Sequence, residues 1–211
     1  MSTWPLFDLR LRVGPLELRY PDDDLLRALC ALAKAGIHPP ERMPFAVPWT
    51  RRPSPAFEHE FLQFHWRSRG AFGPQAWNLE FAVLLDGRPI GCQGIVARGF
   101  PTFKQVSTGS WLGQAYQGQG YGKQMRAAVL TLAFDHLGAE VAETAAFQDN
   151  KSSAGVSRAL GYHENGVTLL APDGVPRETQ RYRMTRTDWQ AAPRPQVEVT
   201  GIEDCRALLG A

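Results

Sequence analysis

The stretch "SWLGQAYQGQGYGKQMRAAVL", residues 110–130, narrows the possible folds more than any other part of the chain. An apolar, strand-like segment runs into glycines at alternate positions, Gly118, Gly120 and Gly122, and then into a run of helix formers. A strand, glycine turn and helix in that order aim unpaired backbone N–H groups and the positive helix end at one point, which favours an anion. Spacing separates the phosphate-binding versions of this design. The GxxxxGK pattern needs Ser or Thr after its lysine to hold magnesium, whereas Lys123 is followed by Gln124 and the glycines lie too close together. The GxGxxG fingerprint belongs near the start of a repeated parallel unit, whereas here the spacing is GxGxG, the loop is central, and meander-like strands precede it.

The elements around the loop follow from local pattern. "LRLRVGPLELRY" alternates on both sides of Gly14-Pro15 and predicts a hairpin, and "PDDDLLRALCALAKAG" predicts a helix ending near Ala35. Six prolines between Pro39 and Pro55 argue for an ordered loop. Helical spacing resumes through Phe57, Phe61, Phe64 and His65. Phe81 to Leu85 and Ile90 to Val96 form a hairpin across Asp86-Gly87, and a strand from about Val106 leads to the glycine loop. The helix after the loop is apolar around most of its circumference, so it should be packed on more than one side. A strand at Val141 to Phe147, a helix capped by Asn150, and strands near Thr168 to Ala171 and Thr179 to Thr185 follow. A domain over 1–188 is expected, with 189–211 as a C-terminal extension adding an edge strand through "VEVTGI".

A chain of 211 residues, 44% apolar, can bury a full core without staples. Its net charge of +2 gives no case for nucleic acid. Cys30, Cys92 and Cys205 are odd in number and widely spaced, so neither disulfides nor a metal site is expected. With no secretory leader pattern and no long apolar run, a cytoplasmic protein that does not enter the membrane is expected.

Gln117, Gly120 and Gly122 match the Q/R-x-x-G-x-G/A loop that grips the pyrophosphate of coenzyme A, and the chain resembles the GNAT family of acyl-CoA N-acyltransferases. "GSWLGQAYQGQGYG" looks like the RimJ/RimL-type branch, and "NKSSAGVSRALGY" is similar to the family's second motif. The segments "RMPFAVPWT", "VSRALGY" and "TRTDWQ" look like those of mycobacterial GNAT members associated with succinyl transfer. The resemblance implies an α/β (α+β) fold: a mixed, mostly antiparallel twisted sheet of about seven strands with splayed central strands, flanked by about four helices.

The resemblance also implies the chemistry. Trp111, Leu112 and Gly113 would meet the pantetheine arm, with the Leu112 N–H polarising the thioester carbonyl. Gln117, Gly118, Gln119, Gly120, Tyr121, Gly122 and Lys123 would cradle the phosphates, and Asn150 would reach the pantetheine region. The tyrosine that many members place seven residues after the asparagine is Ser157 here, so Ser153 becomes the general acid for the departing sulfur. Glu143 is the carboxylate best placed by sequence order to deprotonate the amine. Roughly a tenth of an α-amine is neutral at pH 7 against about 0.04% of a lysine, so a lysine acceptor would demand a stronger base. His65, Trp66, Gln75 and Trp77 fall where relatives build the acceptor or acyl pocket.

The expected activity is acyl transfer from acetyl-CoA or succinyl-CoA to a primary amine on a protein N-terminus, a lysine or a small molecule. A succinyl carboxylate would need donors such as Arg67, Arg69, Arg98 or His65. A homodimer is common among relatives. The alternatives are a non-catalytic acyl-CoA-binding or regulatory module of the same fold and, further off, a nucleotide-binding protein of another fold.

Overall fold

The structure is a computed structural model, and residues 3–211 are described. Strands β1 (Arg10–Val13) and β2 (Leu16–Arg19) pair across Gly14, whose φ of 54° suits the turn. Helix α1 (Asp23–Ala35) is capped by Asp22, which accepts from the Leu25 N–H at 2.8 Å, while Asp23 and Asp24 complement the dipole in its first turn. The proline-rich segment forms only a single 3-10 turn at Trp49–Arg51, and α2 (Ala56–Gly70) then buries Phe57, Phe61 and His65 at helical spacing. The hairpin of β3 (Ala76–Leu85) and β4 (Arg88–Arg98) follows, then the short helix α3 (Phe100–Phe103) and β5 (Gln105–Leu112).

Past the glycine loop, α4 (Tyr121–Thr131) widens into a π turn at Leu132–His136. Strand β6 (Val141–Phe147), helix α5 (Lys151–Ala159) and strands β7 (His163–Leu170) and β8 (Arg177–Thr185) come next. Helix α6 (Arg186–Ala191), β9 (Glu198–Thr200) and α7 (Arg206–Leu209) complete the chain.

Among the described residues, nine strands form one mixed sheet in the order β7-β8-β6-β5-β4-β3-β2-β1-β9, and only the β5–β6 pair is parallel. That is two strands more than the expected seven, and three helices of four to six residues exceed the expected four. Helices of one turn or so leave no periodic signal to find. The penultimate strands also begin earlier than their composition suggests, because β7 is pinned by β8 in a ladder that starts at His163↔Arg183.

Helices α1 and α2 cover one face of the sheet, where Leu26, Leu29, Cys30, Phe57, Phe61 and Ala82 cluster. The opposite face carries the main core, in which α4 is buried from Met125 to Thr131. Trp189 lies in that core, stacked on Phe134 at 5.8 Å, together with Ile202, Cys205 and Leu209 from the last residues. Strand β9 pairs antiparallel with β1 at the sheet edge.

Strands β5 and β6 are paired only through Gln105↔Val141, Val106↔Ala142 and Ser107↔Glu143. Beyond Ser107 they part. Each keeps its other neighbour, β4 and β8 respectively, so the sheet opens along one seam.

Candidate active site

The seam and the glycine loop meet at the end of β5. The Gly113 N–H donates to the Ile90 carbonyl at 2.9 Å, so the alternation of an antiparallel ladder turns the Leu112 amide away from β4, towards the opening. The Leu112 carbonyl on that side accepts from Gln117 Nε2 at 2.9 Å, and the same amide reaches the Ile37 carbonyl at 2.8 Å. Gln117 thus ties the loop to β5 with its side chain.

The rest of the loop presents backbone. Gly118 and Gly120 have φ of 75° and 84°, left-handed values that let a tight turn point its N–H groups outward. Among the described residues, none of the N–H groups from Gly118 to Gly122 donates to a backbone carbonyl. A Cβ on Gly118 or Gly120 would meet nothing within 4 Å, so the space before them is open. Gly122 faces inward, where a Cβ would touch Val156 of α5 at 3.4 Å. Gln119 Nε2 donates to the Ala115 carbonyl, Tyr121 packs at the edge of the core, and Lys123 is exposed. Unpaired N–H groups, open space and the N-terminus of α4 fit a pyrophosphate.

Across the seam, Asn150 Oδ1 accepts the Ser153 N–H at 3.2 Å and caps α5. The Ser153 carbonyl accepts from buried Ser157, and its own hydroxyl takes part in neither bond. Arg126 of α4 lies under the opening, with Nη1 3.2 Å from Thr144 of β6 and Nη2 3.3 Å from Ser110 of β5. It is buried, no carboxylate is paired with it among the described residues, and burial pulls its pKa down.

The α1/α2 face carries a second group. Glu143 lies there beside Ser107, 3.7 Å from Arg181. Trp111 packs against Trp49 at 6.2 Å, and Trp49 in turn contacts Phe57 and Phe61. His65 continues this wall at 4.8 Å from Phe61, and burial, with the Arg69 charge, holds its pKa down to about 4.

Trp66, Gln75 and Trp77 do not join His65. Trp66 is on the outer side of α2 with its Nε1 on Asp23, and Gln75 is exposed just before β3. Trp77 is buried in the opposite core against Phe100 and donates to the Leu209 carbonyl at 3.0 Å. Strand alternation decides this: Trp77 shares its side of β3 with Leu79 and Phe81. Of the candidate partners for a succinyl carboxylate, Arg69 is paired with Asp23, Arg67 is exposed, and Arg98 donates to the Ala97 carbonyl at 3.0 Å.

One residue went unnoticed in the sequence. Glu80 of β3 is half-buried, accepts from Cys92 Sγ at 3.3 Å, and forms no ion pair among the described residues. Burial holds its carboxyl up to about 7. A lone carboxylate inside the apolar run "LEFAVLL" was the available signal.

The family model for the acetyltransferase (GNAT) domain matches residues 15–163, which span the seam, the loop and α5. The chain belongs to the GNAT acetyltransferase family. Solved GNAT structures superpose on it closely. RimL, a ribosomal L7/L12 alpha-N-protein acetyltransferase in complex with coenzyme A, gives a TM-score of 0.67 at 18% identity, over 83% of this chain and 97% of that one. RimJ of Mycobacterium smegmatis, in complex with CoA-disulfide, gives 0.66 at 19%, over 91% and 98%. A GCN5-related N-acetyltransferase from Brucella melitensis gives 0.67 at 19%, over 86% and 80%. These likenesses establish a shared GNAT fold. As a GNAT acetyltransferase the protein is a transferase enzyme, and acetyl-CoA is the donor that GNAT acetyltransferases use.

Proposed function

We propose that this GNAT acetyltransferase transfers an acetyl group from acetyl-CoA to the α-amine of a protein or peptide N-terminus, by direct attack on the thioester. The observation that carries the reading is the seam: β5 and β6 separate beside a loop of unpaired N–H groups, which suits a pantetheine arm and its pyrophosphate. Gly118 to Gly122 and Lys123 hold the phosphates, with Gln117 as the strut behind them. Trp111, Gly113 and Asn150 border the arm. The Leu112 N–H faces the thioester oxygen and stabilises the oxyanion. Ser153 donates a proton to the departing sulfur, and Glu143 is a carboxylate on the acceptor side. Residues 1–188 form the acyltransferase unit and 189–211 its C-terminal extension.

An α-amine acceptor is supported by its small fraction of uphill deprotonation compared with lysine. RimL, named for acetylating the α-amine of a ribosomal protein, has the same fold. Thermal stabilisation and thiol release, measured with acetyl-CoA and peptides that carry either a free α-amine or only a lysine amine, test this reading. Thiol release with the lysine peptide alone would overturn the acceptor assignment.

Arg126 favours a second reading, succinyl transfer, since its buried guanidinium under the opening has no carboxylate partner among the described residues and a dicarboxylic acyl group would supply one. Stabilisation by succinyl-CoA over acetyl-CoA that disappears in Arg126→Met would establish it.

A further inference from the structure

We infer that Glu80 is the carboxylate that takes the proton from the acceptor ammonium, over a floor formed by Gly94 and Gly109. This inference rests on the transfer reading above. The three residues lie in one cross-strand row, Glu80↔Gly94 and Gly94↔Gly109, so they share the α1/α2 face. Neither glycine places a side chain between the carboxylate and β5. A Cβ on Gly94 would stand 2.8 Å from both Glu80 carboxylate oxygens, which puts the carboxylate directly over that strand. A Cβ on Gly109 would meet nothing within 4 Å, so the next strand's floor is open.

That opening is bounded along β5 by Trp111 and Ser107, the neighbours two residues away on the same face. On the far side of Ser107, the next row borders a cleft of about 380 Å³ lined by Val96, Arg98, Phe103, Gln105 and Ser107. An amine entering through the cleft would reach Gly109 between Glu80 on β3 and the end of β5, where the Leu112 amide turns towards the opening. Behind Glu80 is a cavity of about 10 Å³, room for one water, lined by Tyr20, His65, Ser68, Arg69 and Asn78.

The groups facing Glu80 leave its charge uncompensated. Cys92 and Asn78 are neutral hydrogen-bond partners, His65 is held neutral by burial, and Arg69 is paired with Asp23. Tyr20 is itself pushed up by burial. Glu143, on the other side of Ser107, carries Arg181 as its own counter-ion. A carboxyl held near 7 lies about one unit below an α-amine, so proton transfer between them is nearly balanced, whereas a lysine ammonium stands more than three units away.

The step balances without an added reagent. Glu80 takes one proton from the ammonium; the neutral nitrogen bonds to the thioester carbon, and the C–S bond breaks. The second amine proton reaches the sulfur through Ser153, whose hydroxyl gives one hydrogen to sulfur and receives the other. Glu80 then returns its proton to solvent.

The test follows thiol release from acetyl-CoA and a lysine-free peptide with a free α-amine, between about pH 6 and about pH 10, in wild type, Glu80→Gln, Glu143→Gln and Gly109→Leu. Thermal stabilisation by CoA checks the fold and the donor site in each. Glu80→Gln is expected to lower kcat/KM about 100-fold at neutral pH, with the deficit shrinking as the peptide amine loses its own proton in water. Gly109→Leu fills open space and is expected to block the peptide while CoA still stabilises. An unchanged rate in Glu80→Gln, a deficit of equal size at every pH, or a pH-dependent deficit confined to Glu143→Gln would overturn the assignment while leaving the transfer reading intact. A wild type that CoA stabilises but that releases no thiol with any amine would remove the transfer reading, and the role of Glu80 with it.

Discussion

Glu80 on β3 and Gly94 on β4 approach so closely that a single methyl group on the glycine would stand 2.8 Å from both carboxylate oxygens. Gly94→Ala should therefore swing the carboxylate away from its place over the sheet. Because the obstructing atoms are the end of a flexible side chain, the stability loss should stay near ~1 kcal/mol. The expected result is a fall of about tenfold in kcat/KM for the peptide with unchanged CoA stabilisation. Steady-state kinetics with a thermal melt check it.

Glu80 and His65 line the same cavity and titrate in opposite senses. The Glu80 carboxyl is raised to about 7, so its contribution to stability is full below the usual carboxylate range and is lost as pH rises to about 7. His65 is lowered to about 4, so its contribution is present above the usual imidazole value and is lost as pH falls towards about 4. The two slopes oppose one another over the range they share. Glu80→Gln should leave the His65 slope, gaining about 2 kcal/mol relative to wild type at about pH 7.5 and little at about pH 4. His65→Gln should leave the Glu80 slope, with stability falling as pH rises between these values. Urea denaturation across the range reads both.

Gly120→Val places a β-branched side chain at φ 84°, which costs about 1–2 kcal/mol locally. No protein atom lies in its way, so the fold should survive. CoA binding should weaken at least about tenfold, since the side chain enters the space that the loop N–H groups face. Calorimetric titration with CoA measures this.

Ser153→Ala separates two roles of one residue. The Asn150 cap uses the Ser153 backbone N–H and persists in the variant, so α5 and CoA affinity should be retained. Turnover should fall about 10- to 100-fold if the hydroxyl protonates the leaving sulfur. Unaltered kcat would remove Ser153 from the chemistry.

Much of the fold was legible because its signals are local. Gly14-Pro15, Asp86-Gly87, Asp22 and Asn150 each act within a few residues, and the structure has a turn or a cap at each. The glycine loop is local in the same sense, since its left-handed residues and the α4 N-terminus are sequence neighbours. The acceptor side was much less legible. His65 and Trp77 are only twelve positions apart, yet one lies against the α1/α2 face and the other in the core below the sheet.

The sequence by itself determined the order of strands, turns and the four longer helices, and the loop whose backbone favours an anion, because hydrogen-bond satisfaction and glycine's freedom at positive φ act over short spans. Only the tertiary structure decided which residues share the space beside the seam. Glu80, Gly94 and Gly109 come from three strands, and strand register alone brings a carboxylate over two positions that lack side chains. A shift of one residue in either ladder would turn Glu80 or a glycine to the other face of the sheet, so the groove exists through long-range pairing.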